Sequence, residues 1–504
     1  MSERGAGLFT NLGDLIHRDR ALDKAAIIDL SGEAPREFSY GEFDGLVCGV
    51  ARALNSTGLK RGERVALLAA NSAEYFAAAC AIMRAGAVAV PVNFKFPRET
   101  IHFILDDCGA KFVFCDKQRC SDCPENLPFA EFGGEGQSGF EAFLECGPFE
   151  SVTPEPREPA MFLYTSGSTG VPKGVVLSHQ SHLWVVKTRL GGDDLSRHVF
   201  LIAAPMFHMN ALALAQLAMA AHAGIVLLPE FDARAYIDAI AAFRCTRLTA
   251  VPPMIAMMLR EPSLEHADLS SVENIRMGSA PVSESLMHAA QKAFPHASIT
   301  NAYGTTEAGP VVFGKHPKGL VQPSLSVGYP HSEVKLRLKG EGEPDQGVLE
   351  IKCPALMNGY HNRPDLVSPM TQDGFNITGD VFRRDENGFY YFVGRSDDMF
   401  VSGGENIYPG DVERMLERHP DIVQACVVPI ADEIKGQKPV AFVVPRAGEP
   451  LSTEAVKEFA LLHAPAYQHP RFVCFMDKLP FGTTNKIDRA ELIRLAKERF
   501  WDVS

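Results

Sequence analysis

A chain of 504 residues is too long for one ordinary hydrophobic core, so two or more domains are expected. Its 46% apolar and 22% charged content is that of a soluble globular protein. The 49 basic against 62 acidic residues leave a net charge of −13, which argues against a general nucleic-acid binder but leaves room for a local basic patch around a phosphorylated ligand.

The N-terminus carries Glu3, Arg4 and Asp14 in place of the apolar run of a signal peptide. Helical periodicity covers Tyr40 to Asn55, Ala73 to Ala85 and Arg98 to Asp107, and strands are expected at Arg64 to Ala70, Ala87 to Val92 and Lys111 to Phe114. Strands separated by helices imply parallel sheets with crossover connections. Residues 120 to 158 turn Pro-, Gly- and Glu-rich and read as a surface connector. Within it, Gly134 to Gly139 matches G-x-G-x-x-G, but no strand precedes it and Glu135 would repel phosphate, so it is a decoy. Cys108, Cys115, Cys120 and Cys123 crowd one segment with a single C-x-x-C and His102 nearby; they read as thiols, not a zinc site. Eleven cysteines without a framework suit a reducing cytoplasm.

Residues 200 to 300 repeat the alternation of strand and helix. The most apolar stretch, Ala211 to Pro229, is broken by Gln216, His222 and Gly224; it reads as a buried helix feeding the strand Ile225 to Leu228, not as a membrane span. From about 320 to 393, Val334 to Leu338, Val348 to Ile351 and Phe389 to Phe392 suggest a small antiparallel barrel or sheet. After Asp397 a separate α+β unit begins. Its helix behind Pro409 runs to about Arg418, strands follow near 423–429 and 440–445, then a helix from Ser452, a strand near 472–476 and a last helix from Asp488. The domain boundary is placed at Arg395–Asp397, giving domains of residues 1–395 and 396–504.

The segment Thr165-Ser166-Gly167-Ser168-Thr169-Gly170-Val171-Pro172-Lys173-Gly174 follows the apolar run Met161 to Tyr164. Its glycines free the backbone for close approach, so N–H groups can face an anion. The hydroxyls of Thr165, Ser166, Ser168 and Thr169 add donors, and Lys173 adds charge. It is not a Walker A loop, because no Gly-Lys-Ser/Thr closes it. A Ser/Gly/Thr-rich surface turn, the bland alternative, needs neither the strand before nor the lysine behind.

This loop resembles the phosphate loop of the adenylate-forming superfamily of acyl-CoA synthetases, adenylation domains and luciferases. The other motifs of that family appear in order: Asn301-Ala302-Tyr303-Gly304-Thr305-Thr306-Glu307, Ile377-Thr378-Gly379-Asp380, Gly394-Arg395-Ser396-Asp397-Asp398, Ser402-Gly403-Gly404-Glu405-Asn406 and Asn485-Lys486-Ile487. The resemblance implies an α/β fold: a large N-terminal domain of two helix-flanked sheets plus a small β-barrel-like subdomain, with a smaller mobile α+β C-terminal domain. It also implies ATP, Mg²⁺ and coenzyme A as cofactor and co-substrates.

By the same resemblance, Lys173 and the loop hold the β- and γ-phosphates, Thr306 donates to the α-phosphate and Glu307 holds Mg²⁺. Asp380 grips the ribose hydroxyls, Arg395 reaches ribose or phosphate, and Tyr303 with Gly278, Ser279, Ala280 and Pro281 sandwiches adenine. Lys486 bridges the α-phosphate and the attacking carboxylate; a point charge on a long stem suits a group that arrives with a mobile domain. Asn485 stands where the family usually has glycine, and Asn also adopts the left-handed region. Asp397 matches the hinge, Gly403 and Gly404 the pantetheine tunnel, and Tyr467, His469 and Arg471 the nucleotide end of CoA, with His469 replacing a basic residue. His208 matches the gate of the acyl site, and Thr188, Thr249, Met254, Ser279, Ala302 and Gly304 its lining. With no Arg or Lys among these lining positions, a monocarboxylic acid with an aromatic or medium- to long-chain aliphatic body is expected, with a lean toward aryl acids.

The expected reaction is therefore ATP-dependent activation of a carboxylic acid to acyl-AMP, then thioesterification to acyl-CoA by domain alternation. Loading of a carrier protein, or a catalytically inactive acyl- or AMP-binding homologue, is the alternative. A luciferase-like oxygenase shares the fold. Retention of Lys173, Glu307, Asp380, Arg395 and Lys486 argues against an inactive homologue. The expected partners are a small-molecule carboxylic acid, no nucleic acid and no integral membrane insertion; a homodimer is allowed. Pro480 with Lys486 approximates an acetylation motif, so a lysine acetyltransferase acting on Lys486 is a further candidate partner.

Overall fold

The computed structural model describes residues 9–165, 171–340, 344–364, 366, 368–402, 405–432, 434–446, 451–482 and 487–500. Two seven-stranded sheets build the large N-terminal domain. The first runs Ser298–Ala302, Asn274–Gly278, Arg247–Ala250, Val199–Ile202, Gly224–Leu227, Ala25–Asp29 and Arg36–Ser39, parallel except for the last strand. The second runs Gly359–Tyr360, Lys173–Ser178, Pro159–Thr165, Val88–Pro91, Arg64–Leu68, Ala110–Asp116 and Phe129–Phe132. Each of its first three strands runs antiparallel to its neighbour among them, and the remaining pairings are parallel.

One core joins the facing sides of the sheets, with Ile27, Phe200 and Ile225 of the first and Val65, Leu67, Phe114, Leu163 and Val175 of the second. The helix Tyr40–Ser56 enters it through Phe43, Val47, Val50, Ala51 and Leu54, a stripe at helical spacing, and starts at a capping box between Ser39 and Glu42. Met209–Ala220 is apolar on nearly every face and is buried at every position but Asn210, as such a helix must be in water. Among the described residues no helix is long and apolar enough to cross a membrane.

The expected surface connector contributes structure. Phe129–Phe132 adds a parallel edge strand beside Ala110–Asp116, Phe132 stacks on Phe114 at 5.8 Å, and Phe140 is buried. Four residues are too few to show a period, which is why composition hid them. The glycine decoy forms only a short 3₁₀ turn at Gly136–Ser138.

Beyond residue 330 an open four-stranded antiparallel sheet forms from Lys335–Lys339, Gln346–Lys352, Asn376–Arg384 and Tyr390–Arg395. The smaller C-terminal domain follows. Its sheet combines the long hairpin Ile422–Asp432/Gly436–Pro445 with Phe472–Phe475, Phe400–Ser402 and Glu405–Ile407. Pro409–Leu416 and Thr453–His463 cover one face and Arg489–Phe500 the other. Arg414 Nη2 donates to the carbonyl of Val393 at 3.0 Å, tying the first of these helices to the strand Tyr390–Arg395.

Candidate active site

The strands Pro159–Thr165 and Lys173–Ser178 pair so that Thr165 stands opposite Lys173, and the phosphate-loop sequence closes this hairpin. Ser166, Gly167, Ser168, Thr169 and Gly170 lie outside the described residues. Thr165 Oγ1 is sealed from solvent and, among the described residues, has no hydrogen-bond partner, so an acceptor arriving at the loop would satisfy it. Lys173 Nζ donates to the Tyr360 hydroxyl at 2.7 Å and stands 3.4 Å from Glu307. Tyr360 donates in turn to Glu307 Oε1 at 2.9 Å. Burial, then the Glu307 charge, holds the Tyr360 phenol well above its ordinary range, so it stays protonated. Among the described residues no three potential ligands cluster for a metal, so a divalent cation would rest on Glu307, water and the oxygens of its ligand.

A second cluster forms around Asp380, which is 6% exposed. Asp380 and Arg395 face each other across paired strands, with Nη1 to Oδ1 at 3.0 Å. Tyr303 donates its hydroxyl to Asp380, and burial followed by that carboxylate raises the Tyr303 phenol far above its usual range. Arg395 also bonds Asp397 through Nε at 2.8 Å and Nη2 at 3.0 Å. Gly379 has φ of 73°, and a Cβ there would lie 3.1 Å from Arg395 Nη2, so glycine meets both demands.

At the end of the strand Asn274–Gly278, Ser279 takes a positive φ of 66°. Ser279 and Pro281 are exposed, and Ala280 is partly buried. Gly278 pairs with Ala302, and a Cβ there would lie 2.9 Å from the Ala302 carbonyl. Thr305 Oγ1 caps the turn that carries Thr306 and Glu307 by accepting from the Ala308 N–H at 3.0 Å.

His208 is the N-cap of Met209–Ala220, its ring 4.6 Å from that of Phe207. Thr249 is buried, and Thr188 and Ala302 are half-buried. Gly304 packs so tightly that a Cβ would meet the Gly309 carbonyl and Pro310 Cα at 2.6 Å. Met254 is not brought to this face: it packs with Leu248, Ala250 and Ile255 in the core on the opposite side of the sheet from Thr249. Lys486, Gly403 and Gly404 lie outside the described residues. His469 is buried and Arg471 Nη1 stands 3.3 Å from its Nδ1; burial, then the Arg471 charge, lowers its pKa, so of the two Arg471 carries the positive charge. Tyr467 packs against the C-terminal core.

The motifs gave Lys173, Glu307, Tyr303, Asp380 and Arg395, and the structure gathers them into these two clusters. Tyr360 was missed: it sits 187 positions from Lys173 in a two-residue strand, with no pattern to announce it. Arg189, Arg247 and Arg276 were missed as well, although Arg189 adjoins Thr188 and Arg276 pairs with Thr249.

Comparison with known proteins agrees with this geometry. The AMP-binding enzyme family matches residues 17–361, and the AMP-binding enzyme C-terminal domain matches residues 411–486. The indoleacetate–CoA ligase of Aromatoleum aromaticum is 31% identical over 482 residues, covering 92% of this chain and 94% of that protein. A feruloyl-CoA synthase from Amycolatopsis sp. is 31% identical over 95% of this chain and 97% of its own. The crystal structure of ATP-bound MatB from Rhodopseudomonas palustris matches with a TM-score of 0.88 over 98% of this chain and 100% of that one, at 26% identity. The chain belongs to the AMP-binding, adenylate-forming enzymes, in the branch of acyl- and aryl-CoA ligases that make acyl-CoA from ATP through an acyl-adenylate.

Proposed function

We propose that this chain activates a small-molecule carboxylic acid with ATP and Mg²⁺ and passes the acyl group to coenzyme A. The carboxylate oxygen attacks the α-phosphate, pyrophosphate leaves, and the CoA thiol then displaces AMP from the acyl carbonyl. One observation carries the reading: the five-residue segment Tyr303–Glu307 links the two clusters, bonding Asp380 at one end and facing Lys173 at the other. A nucleotide laid along it would meet a ribose acceptor, then an α-phosphate donor at Thr306, then the cation and carboxylate needed for the outer phosphates.

In this reading the loop Thr165–Gly170 and Lys173 hold the phosphates, Glu307 holds Mg²⁺, and Ser279, Ala280, Pro281 and Tyr303 bound the adenine. Lys486 neutralises the two anions as they meet. The chain divides at residues 395 and 396, Asp397 is the hinge, and rotation exchanges Lys486 for Gly403 and Gly404 beside a CoA that Tyr467, His469 and Arg471 contact. Thr188, Thr249, Ala302 and Gly304 line the acyl site behind His208. The relatives named for indoleacetate and ferulate support an aryl body for the acid. A cytoplasmic enzyme, a homodimer and acetylation of Lys486 complete the reading.

The test is AMP release with ATP and Mg²⁺ across aromatic and short-, medium- and long-chain acids, each with and without CoA. CoA-dependent turnover on one class is expected. Pyrophosphate exchange with no CoA dependence would transfer the acyl group to a carrier protein instead, and silence across the panel would sink the enzyme reading.

A further inference from the structure

Three arginines gather at one face of the first sheet, and among the described residues none of them is ion-paired to a carboxylate. In the strand Arg247–Ala250, Leu248 and Ala250 pack into the outer core, so Arg247 and Thr249 point to the inner face. In Asn274–Gly278, Ile275 and Met277 pack outward and Arg276 points inward, directly opposite Thr249. The helix His179–Leu190 buries His182, Val185 and Val186, and Arg189 continues that stripe.

Their polar atoms are conspicuously unmet. Arg189 Nη1 and Arg247 Nε are sealed from solvent and, among the described residues, have no hydrogen-bond partner. Arg276 Nη2 donates to the Pro310 carbonyl at 2.9 Å, and Arg247 Nη2 lies 3.2 Å from the His198 imidazole. Among the described residues no ion pair joins any of the three to a carboxylate; Glu273, the acid nearest Arg247 in influence, is held by both Nη atoms of Arg197 at 2.6 and 2.7 Å. Burial, then Arg276 and Arg247, pushes the Arg189 guanidinium down, as expected of like charges sharing a partly buried space. Two turns before Arg189 on the same face, His182 Nε2 is also sealed and, among the described residues, unpartnered. Gathering unpaired guanidinium groups weakens a fold, and an anion seated among them reverses the sign.

Their position fixes which anion. Arg276 bonds Pro310, whose Cα fills the space a Cβ on Gly304 would need, so Arg276 adjoins the turn at Gly304. Its register partner is Thr249 and the chain neighbour of Arg189 is Thr188, both acyl-site positions under the proposed function. Arg276 stands two residues before Gly278, about 7 Å along the strand from its end. Among the described residues it shares no partner with Lys173 or Glu307.

We infer that the acid activated here carries a second carboxylate, received by Arg189 and Arg276 with Arg247 behind them. This rests on the reaction proposed above and revises the single-carboxylate expectation, which was drawn from lining positions that do not include these arginines. Bidentate guanidinium–carboxylate pairing is the strong, geometry-selective form of such recognition.

The full-length enzyme is assayed for AMP release with matched pairs: hexanoate and adipate, octanoate and suberate, phenylpropionate and 3-(4-carboxyphenyl)propionate. One diacid is expected to exceed its monoacid by about 100-fold in kcat/KM, because a site built around a charged group rejects the analogue lacking it. Arg276→Met and Arg189→Leu should each swing that ratio toward the monoacid by a similar factor, with no fall in melting temperature. A monoacid preference in the wild type, unmoved by Arg276→Met, overturns the inference while leaving the ligase reading intact. If no acid releases AMP, the ligase reading fails, and thermal shift without nucleotide decides the arginine site alone. There suberate or adipate should stabilise the wild type but not Arg189→Leu, and equal shifts in both would dismiss it.

Discussion

Lys173 and Glu307 are joined through a third side chain. The Tyr360 hydroxyl accepts from Lys173 Nζ at 2.7 Å and donates to Glu307 Oε1 at 2.9 Å, while the two charges stand 3.4 Å apart. Tyr360→Phe removes one neutral hydroxyl and leaves both charges in place. It is expected to raise KM for ATP by about 3- to 10-fold with little change in kcat, the worth of one hydrogen bond. Lys173→Ala removes the charge that the proposed function assigns to phosphate and should cost about 10²-fold in the adenylation step. Steady-state kinetics at varied ATP separate the two, and equal losses would make the hydroxyl, not the ammonium, the principal group.

Asp380 is nearly buried and depends on Arg395 for its counter-charge. Arg395→Ala should destabilise the protein by about 2 kcal/mol, below the 3–5 typical of a fully buried pair because the Arg395 side chain is 42% exposed. Chemical denaturation checks this. Asp380→Ala should instead act mainly on ATP binding, and an Asp380→Ala enzyme with unchanged KM for ATP would remove Asp380 from the ribose role.

Lys486→Ala is expected to slow acyl-AMP formation by about 10²–10³-fold and to spare thiolysis of acyl-AMP supplied to the enzyme. Measuring the half-reactions separately is decisive, since equal loss in both contradicts a lysine that works only in the first. Acetylation of Lys486 removes the same charge and should reproduce the pattern. Mass spectrometry after co-expression with an acetyltransferase would find the residue modified.

His179 and His182 give the fold an acid-side limit. Burial lowers both to about 4 from the usual 6.5, and His179 Nδ1 accepts the Leu12 N–H at 3.0 Å, which requires that nitrogen unprotonated. The unfolded chain therefore binds more protons than the folded one below pH 6.5. Stability is full above that value and is lost as pH falls toward 4, by up to about 3 kcal/mol for each histidine. His182→Met should flatten this slope in denaturation curves recorded between pH 7 and 4; an unchanged slope would mean His182 charges freely in the folded protein.

How much of this was readable in advance depended on whether chemistry was written in consecutive residues. The hairpin around Thr165 and Lys173, the Tyr303–Glu307 segment and Asp380 carry their chemistry locally, so each was legible as a motif. The strand Asn376–Arg384 that presents Asp380 was not, because Gly379 and a run of polar residues break its alternation, and only pairing with both neighbours stabilises it. Tyr360 and the three arginines gain meaning from sheet register and helix facing across long stretches of chain, and no local pattern encodes that.

Arg395 holds two stretches of backbone in one planar group: Nη1 reaches Asp380 and the Thr378 carbonyl, while Nε and Nη2 are given to Asp397. It is thus a knot between Asp380 and Asp397. Under the proposed function, a force that draws Asp397 away would loosen the grip on Asp380, and a ligand that competes for Asp380 would free the guanidinium to follow Asp397. Emptying the proposed nucleotide site and turning the smaller domain would then be two ends of one cord.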